Sequence, residues 1–396
     1  MSHSFLVGFG RYPPEIGREM KPEMSKERNY EIDLLRGVAC VAVVLFHFLY
    51  RGQQDAWIAD AAPDWLAGIA RYGYLGVHLF FIISGYVIFM SAQGATPRAF
   101  LASRVARLYP AYWVAAILTA TIAWALASST FAVSLRDFLI NLTMLTHWMP
   151  LSANVQFVDG AYWSLAVEFQ FYLLVLAVLM TGRLSRVEPL VAGWLALSTL
   201  DFIRPMYHPE VWLALEWAPL FSAGILFYRI RHHGLDRQRY LMLWWCYVLA
   251  LAFATRPAVL SIGAPGDAAR GGWVIAGVLT ACFAVFSLVA ARRWTLRASP
   301  LTVWAGLLTY PVYLIHQNIG YMVLDVLRPM LPSFALRLTL VLVLVGALAV
   351  LLNRLVERPL GPWLRRWIDP SVGRRSRSTD TGRASSLRQS GLQPSR

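Results

Sequence analysis

The chain has 396 residues, 57% of them hydrophobic and 15% charged, with a mean hydropathy of +0.50. Soluble domains carry more charge and fewer apolar side chains, so this composition excludes an ordinary water-soluble enzyme and points to a polytopic helical membrane protein. The net charge of +14 invites a nucleic-acid partner, but the basic residues follow alternate loops rather than one patch, and no nucleic acid is expected.

In chain order, residues 1–29 are a polar, basic lead. SFLVGFG near the start is too short for a secretory h-region and no basic segment precedes it. Ten apolar windows follow, near 31–50, 73–91, 109–127, 162–181, 188–203, 212–228, 240–255, 272–290, 301–321 and 335–353. Between the third and fourth, Ser134 to Trp148 is shorter and amphipathic, and is expected to lie at the interface or re-enter. Residues 30–357 thus read as one all-α membrane domain of about ten transmembrane helices. Residues 358–396 turn polar and rich in Arg, Ser and Gly (RRSRSTDTGRASSLRQSG), and are expected to form a disordered cytoplasmic tail.

With the N-terminus placed in the cytoplasm, inner segments hold 28 of the 36 Lys and Arg residues and outer segments hold 8. That asymmetry predicts both termini inside. No internal repeat is visible, which weakens a transporter reading. Cys40, Cys246 and Cys282 all fall in apolar windows without disulfide or metal-site spacing, so no metal is expected.

Ionisable groups inside a bilayer are costly and usually mark function. The first window, EIDLLRGVACVAVVLFHF, carries Arg36 and His47 eleven residues apart. Three helical turns take about 10.8 residues, so both project from one face, separated by roughly 16 Å of rise. Asp33 lies three residues before Arg36 and is placed to pair with it. Depths counted from the outer ends of the windows put His47 about 5 Å in, His78 and His316 about 8 Å in and Glu168 about 9 Å in, at about 1.5 Å per residue. These four residues are expected to share one layer, as general-base material or as a proton relay. At the inner side, Arg98, Arg104 and Arg107 precede the third helix. Arg104 and Arg107, three apart, share a helix face and suit phosphate.

These segments resemble acyltransferase family 3, integral-membrane acyltransferases that modify surface glycans and related hydroxyl compounds. Arg36 and His47 match its first-helix signature, GVHLFFIISGY its glycine-rich second helix ending in Ser84-Gly85, and SRVARLYPAYW its Arg-x-x-Arg segment. YWSLAVEFQFYL, YPVYLIH and VERPL match three later segments, and the resemblance covers most of residues 30–360. The family often has an acidic residue where this chain has His78, so no acid role is expected there.

The resemblance implies a cytoplasmic acyl-CoA donor, usually acetyl-CoA, and an acceptor hydroxyl on a glycan, lipid-linked sugar or related compound beyond a bacterial inner membrane. On that reading His47 is the general base and Glu168 orients or charge-balances it. Arg36, Arg104 and Arg107 hold donor phosphates, with Asp33 and Ser84 in support. His78, Trp163, Tyr313 and His316 contact substrate. Cys40 lies about seven residues from His47, roughly 10 Å of rise, too far for a thiol–imidazole nucleophile. The competing expectation is a carrier or flippase for an acylated or anionic metabolite.

Overall fold

The architecture is taken from a computed structural model, which describes residues 29–60, 62–146, 155–206, 212–260 and 265–371. Among them every regular element is helical. Leaving aside single turns and the seven-residue helix Asp64–Ala70, these are in order α1 (Tyr30–Phe46), α2 (Gly76–Ala92), α3 (Pro97–Ala125), the short α4 (Leu135–Asn141), α5 (Tyr162–Met180), α6 (Val187–Ile203) and α7 (Ala218–His233). They continue with α8 (Arg237–Leu260), α9 (Pro265–Ala290), α10 (Pro300–Ile315), α11 (Gln317–Leu327), α12 (Phe334–Leu352) and α13 (Arg358–Ile368).

Each of the ten apolar windows falls on helical structure, the ninth across both α10 and α11. Among the described residues six helical stretches are long and apolar enough to cross a membrane: Tyr30–Gln54, Asp64–Ala92, Pro97–Ala125, Tyr162–Met180, Gly271–Ala290 and Phe334–Ile368. The rest are shorter or less apolar, and α7 shows why. Every residue from Ala218 to Tyr228 is buried, so protein rather than lipid surrounds it and a uniformly apolar surface is unnecessary.

Local sequence starts several helices where they are needed. Thr96 caps α3 through the Ala99 amide, with Pro97 in the first turn. Ser299 and Thr302 form a reciprocal capping box ahead of α10, again with Pro in the first turn. In α1, Val38, Val41 and Leu45 are exposed on one stripe, while Ile32, Leu35, Ala39, Cys40 and Val43 are buried against the bundle. The tightest crossing is between α2 and α7. A Cβ on Gly85 would collide with the Phe221 carbonyl, and one on Gly224 with the Ile82 carbonyl, so glycine on both helices brings the backbones together.

Two interruptions set the functional geometry. At His47–Arg51 the first helix widens into a π-type turn, and Tyr321 donates to the His47 carbonyl there at 3.1 Å. His316 stands between α10 and α11, five residues after Pro311.

The expectation of a disordered segment from residue 358 onward needs correction over its first part. Residues 358–368 form α13, which packs along α3, with Gly361 buried beside the Ala106 carbonyl and Arg98 Nε donating to Ile368 O. The expectations for residues 1–28 and 372–396, and for the end of the Ser134–Trp148 stretch, lie outside the described residues.

Candidate active site

The histidines of α1 and of the α10–α11 break meet. His47 Nδ1 and His316 Nε2 are 3.0 Å apart, and His316 Nδ1 lies 2.9 Å from the Tyr313 carbonyl. A carbonyl only accepts, so His316 Nδ1 carries a proton. With both rings neutral, His316 Nε2 is then a lone pair and His47 Nδ1 must donate to it. That leaves a lone pair on His47 Nε2, which takes no hydrogen bond from the described residues. His316 is fully buried and His47 half-buried.

A second staple holds the break that carries His316. Asp159, fully buried, accepts from the Ala161 amide and from the Asn318 amide, both at 2.9 Å. Asn318 returns its side-chain amide to the Val158 carbonyl at 3.0 Å, and the Tyr162 hydroxyl donates to Leu314 O at 3.0 Å. The chain entering α5 is thereby pinned to both sides of His316.

Towards the opposite end of the bundle lies an open-mouthed cavity of about 100 Å³. Arg36, Arg104, Arg107, Glu168 and Tyr172 line it, and Ser84, Ser164 and Tyr313 form part of its wall. Asp33 lies 3.7 Å from Arg36 and Glu357 lies 3.5 Å from Arg107. Arg104 rests over the Tyr172 ring and has no carboxylate partner among the described residues. Gly306 makes room for Asp33, since a Cβ there would collide with its carboxylate. Three guanidiniums thus face one space beside a single lining carboxylate, and the lining is rich in hydrogen-bond donors.

Tyr313 joins the two regions. Its ring lines the cavity, its hydroxyl meets Ser164 Oγ at 2.6 Å and its carbonyl holds His316. The cavity lining ends at this residue, one turn short of the histidine pair.

The expected single layer of four ionisable residues is therefore divided. His47 and His316 pair. Glu168 instead accepts from Tyr172 at 2.7 Å, within the arginine cavity. The reason is depth: Tyr162, the first residue of α5, already reaches Leu314, and Glu168 lies about 9 Å of rise further from the histidine end. The group on His47 Nδ1 is another imidazole rather than a carboxylate.

His78 is also separate, buried against the rings of Tyr74 and Trp217 with Nδ1 unpartnered. Trp163 packs on Trp217 at 5.3 Å. Ser84 is itself part of the cavity wall, and Cys40 donates to the Thr309 carbonyl, tying α1 to α10. Sequence reasoning missed Asp159, Ser164, Tyr172, Trp217, Glu357 and Tyr310, whose ring lies under Arg107 in the cavity wall. Of these only Tyr172 had a local signal, as the i+4 partner of Glu168.

Comparison with known proteins bears on this geometry. A family model described as an acyltransferase domain, of the acyltransferase 3 type, matches residues 29–354. The chain is similar to BcsY of Komagataeibacter xylinus, whose name calls it a membrane-bound transacylase, with 27% identity over 74% of this chain and 72% of that protein. It is 30% identical to the acyltransferase MdmB of Streptomyces mycarofaciens over 35% of this chain and 36% of MdmB. It is 28% identical to the O-acetyltransferase OatA of Staphylococcus aureus over 40% of this chain and 26% of OatA. No solved structure matches the chain.

Proposed function

The chain belongs to acyltransferase family 3 and is an integral-membrane acyltransferase, and on that premise we propose that it moves an acyl group, acetyl in the first instance, from acyl-coenzyme A to a hydroxyl of a glycan or related acceptor. The observation that carries this reading is the proton order of the histidine pair, which leaves a basic nitrogen on His47 above a cavity lined by arginines.

In this mechanism Arg36, Arg104 and Arg107 bind the donor's phosphates, and Glu168 with Tyr172 positions the guanidiniums. The thioester arm extends along the cavity toward Ser164 and Tyr313. His47 Nε2 takes the proton of the acceptor hydroxyl as its oxygen attacks the thioester carbon. The C–S bond then breaks, and the departing thiolate takes that proton from His47. His316 fixes the tautomer of His47 and receives a hydrogen bond from the imidazolium as it forms. Trp163 and His78, beside Trp217, are proposed acceptor contacts. About ten crossings, both termini in the cytoplasm and a bacterial inner-membrane location complete the proposal; they put the arginine cavity on the side where acyl-coenzyme A is made.

The test is transfer from radiolabelled acetyl-CoA to candidate glycans by protein purified in detergent. Labelled glycan formed without a sealed membrane supports the enzyme. Activity only as flux across vesicles supports the carrier instead.

A further inference from the structure

The last candidate span, Phe334–Ile368, ends in α13, a helix with three different faces. α12 has 19 residues, about 28 Å of rise, enough to fill a hydrocarbon core of about 30 Å. The chain beyond it continues helically through Arg354 and Arg358 into α13, RPLGPWLRRWI, which must therefore leave the core.

One face of α13 is taken by protein. Gly361 is buried, and a Cβ there would stand 3.2 Å from the Ala106 carbonyl, the carbonyl that Pro110 cannot bond within α3. Arg98 Nε donates to Ile368 O at 2.7 Å, so α13 runs antiparallel along the first turns of α3. The second face is apolar and open: Leu360, Trp363 and Trp367, spaced i, i+3, i+7, are 43%, 57% and 71% exposed. The third is basic: Arg358 and Arg366, about 80° apart around the axis, are both exposed.

Water offers nothing to a stripe of two tryptophans and a leucine, and the hydrocarbon core rejects guanidinium. The headgroup boundary accepts both. We propose that α13 lies in the membrane interface and binds anionic phospholipid headgroups, with Trp363 and Trp367 set into the acyl boundary and Arg358 and Arg366 on lipid phosphates. Charge complementarity and continuity with α12 select the bilayer as the occupant of this face. The inference does not depend on the donor chemistry, but it bears on the cavity. α13 is clamped to the helix that carries Arg104 and Arg107, and Glu357, just before α13, pairs with Arg107. Lipid held by α13 thus holds one wall of the cavity mouth at the membrane surface.

The experiment uses full-length protein in nanodiscs of phosphatidylcholine with phosphatidylglycerol. Trp363→Cys and Pro362→Cys, each carrying an environment-sensitive fluorophore, are compared with the unsubstituted chain to subtract labelling of the native cysteines. The label at 363 is expected to emit to the blue and to be quenched by spin-labelled lipid, while the label at 362 is quenched by aqueous iodide. Iodide quenching at 363 without lipid quenching overturns the proposal and makes this face a water-exposed surface for a protein partner. In the second arm, Arg358→Gln with Arg366→Gln is expected to reduce selective retention of phosphatidylglycerol by about fivefold per arginine. Unchanged lipid selectivity in that variant overturns the headgroup assignment.

Discussion

His47 and His316, 269 residues apart in sequence, share one hydrogen bond whose direction is set by a third group, the carbonyl of Tyr313. The carbonyl fixes the proton on His316, His316 fixes the proton on His47, and the basic lone pair is left at His47 Nε2. In the proposed mechanism a neutral imidazole holds the position that a carboxylate occupies in the familiar triad, orienting the base without placing a full negative charge beside it.

His47→Ala is expected to abolish transfer while leaving the protein inserted and monodisperse. His316→Ala is expected to lower kcat about 10- to 100-fold, at the lower end of what positioned general-base catalysis contributes, with little change in donor KM. His316→Gln offers an amide that can donate to the Tyr313 carbonyl and accept from His47, and should recover part of the loss. Steady-state kinetics across a pH series checks this. A His316→Ala enzyme with wild-type kcat and an unchanged pH profile would remove His316 from the mechanism.

The part of this site that sequence made legible was the part confined to one helix. Three-residue spacing put Asp33 beside Arg36, and Arg104 and Arg107 do share the cavity. Relations between helices were not legible. Counting depth from the ends of apolar windows assumes that all helices begin at one level, and the contact of Tyr162 with Leu314 shows that α5 does not. Asp159 offered only the pattern of a turn before a helix, because its second partner, Asn318, is 159 residues away. The ten windows located helices well, yet hydropathy could not separate a lipid-facing helix from one as enclosed as α7.

Arg104 is the cavity arginine without a carboxylate, so its removal should act on the donor. Arg104→Ala is expected to raise donor KM about tenfold or more, the loss of a charge-assisted hydrogen bond of about 1.5–3 kcal/mol, with acceptor KM nearly unchanged. Arg107→Ala should behave similarly but more weakly, since Glu357 already engages that side chain at 3.5 Å. Initial-rate kinetics with each substrate varied in turn separates the cases. A change confined to acceptor KM would count against donor binding in this cavity.

Tyr313 stands at the end of the cavity lining nearest the histidines, where its hydroxyl meets Ser164 at 2.6 Å. Tyr313→Phe keeps the ring and the carbonyl that holds His316, and removes that contact together with the hydroxyl's 3.3 Å bond to the Ala161 carbonyl. Acyl transfer should persist within about threefold, the scale of one net hydrogen bond of about 0.5–1.5 kcal/mol, while thioester hydrolysis without acceptor rises by a similar factor. Ser164→Ala should do the same. Thiol release measured with and without acceptor checks it, and unaltered hydrolysis in both variants would mean that the contact does not restrain water.

The Asp159 carboxylate satisfies two backbone amides from different parts of the chain, each inside the protein. Asp159→Ala strands both donors at about 1–3 kcal/mol apiece, and the loosened α10–α11 break carries His316 with it. The expected result is a lower Tm in detergent together with a fall in kcat. Asp159→Asn keeps one accepting oxygen and should lie between the two proteins in both measurements. If Asp159 acts only by holding the backbone around His316, the Asn enzyme should recover stability and kcat in parallel. Recovery of Tm with no recovery of kcat would instead assign the carboxylate a direct part in the reaction.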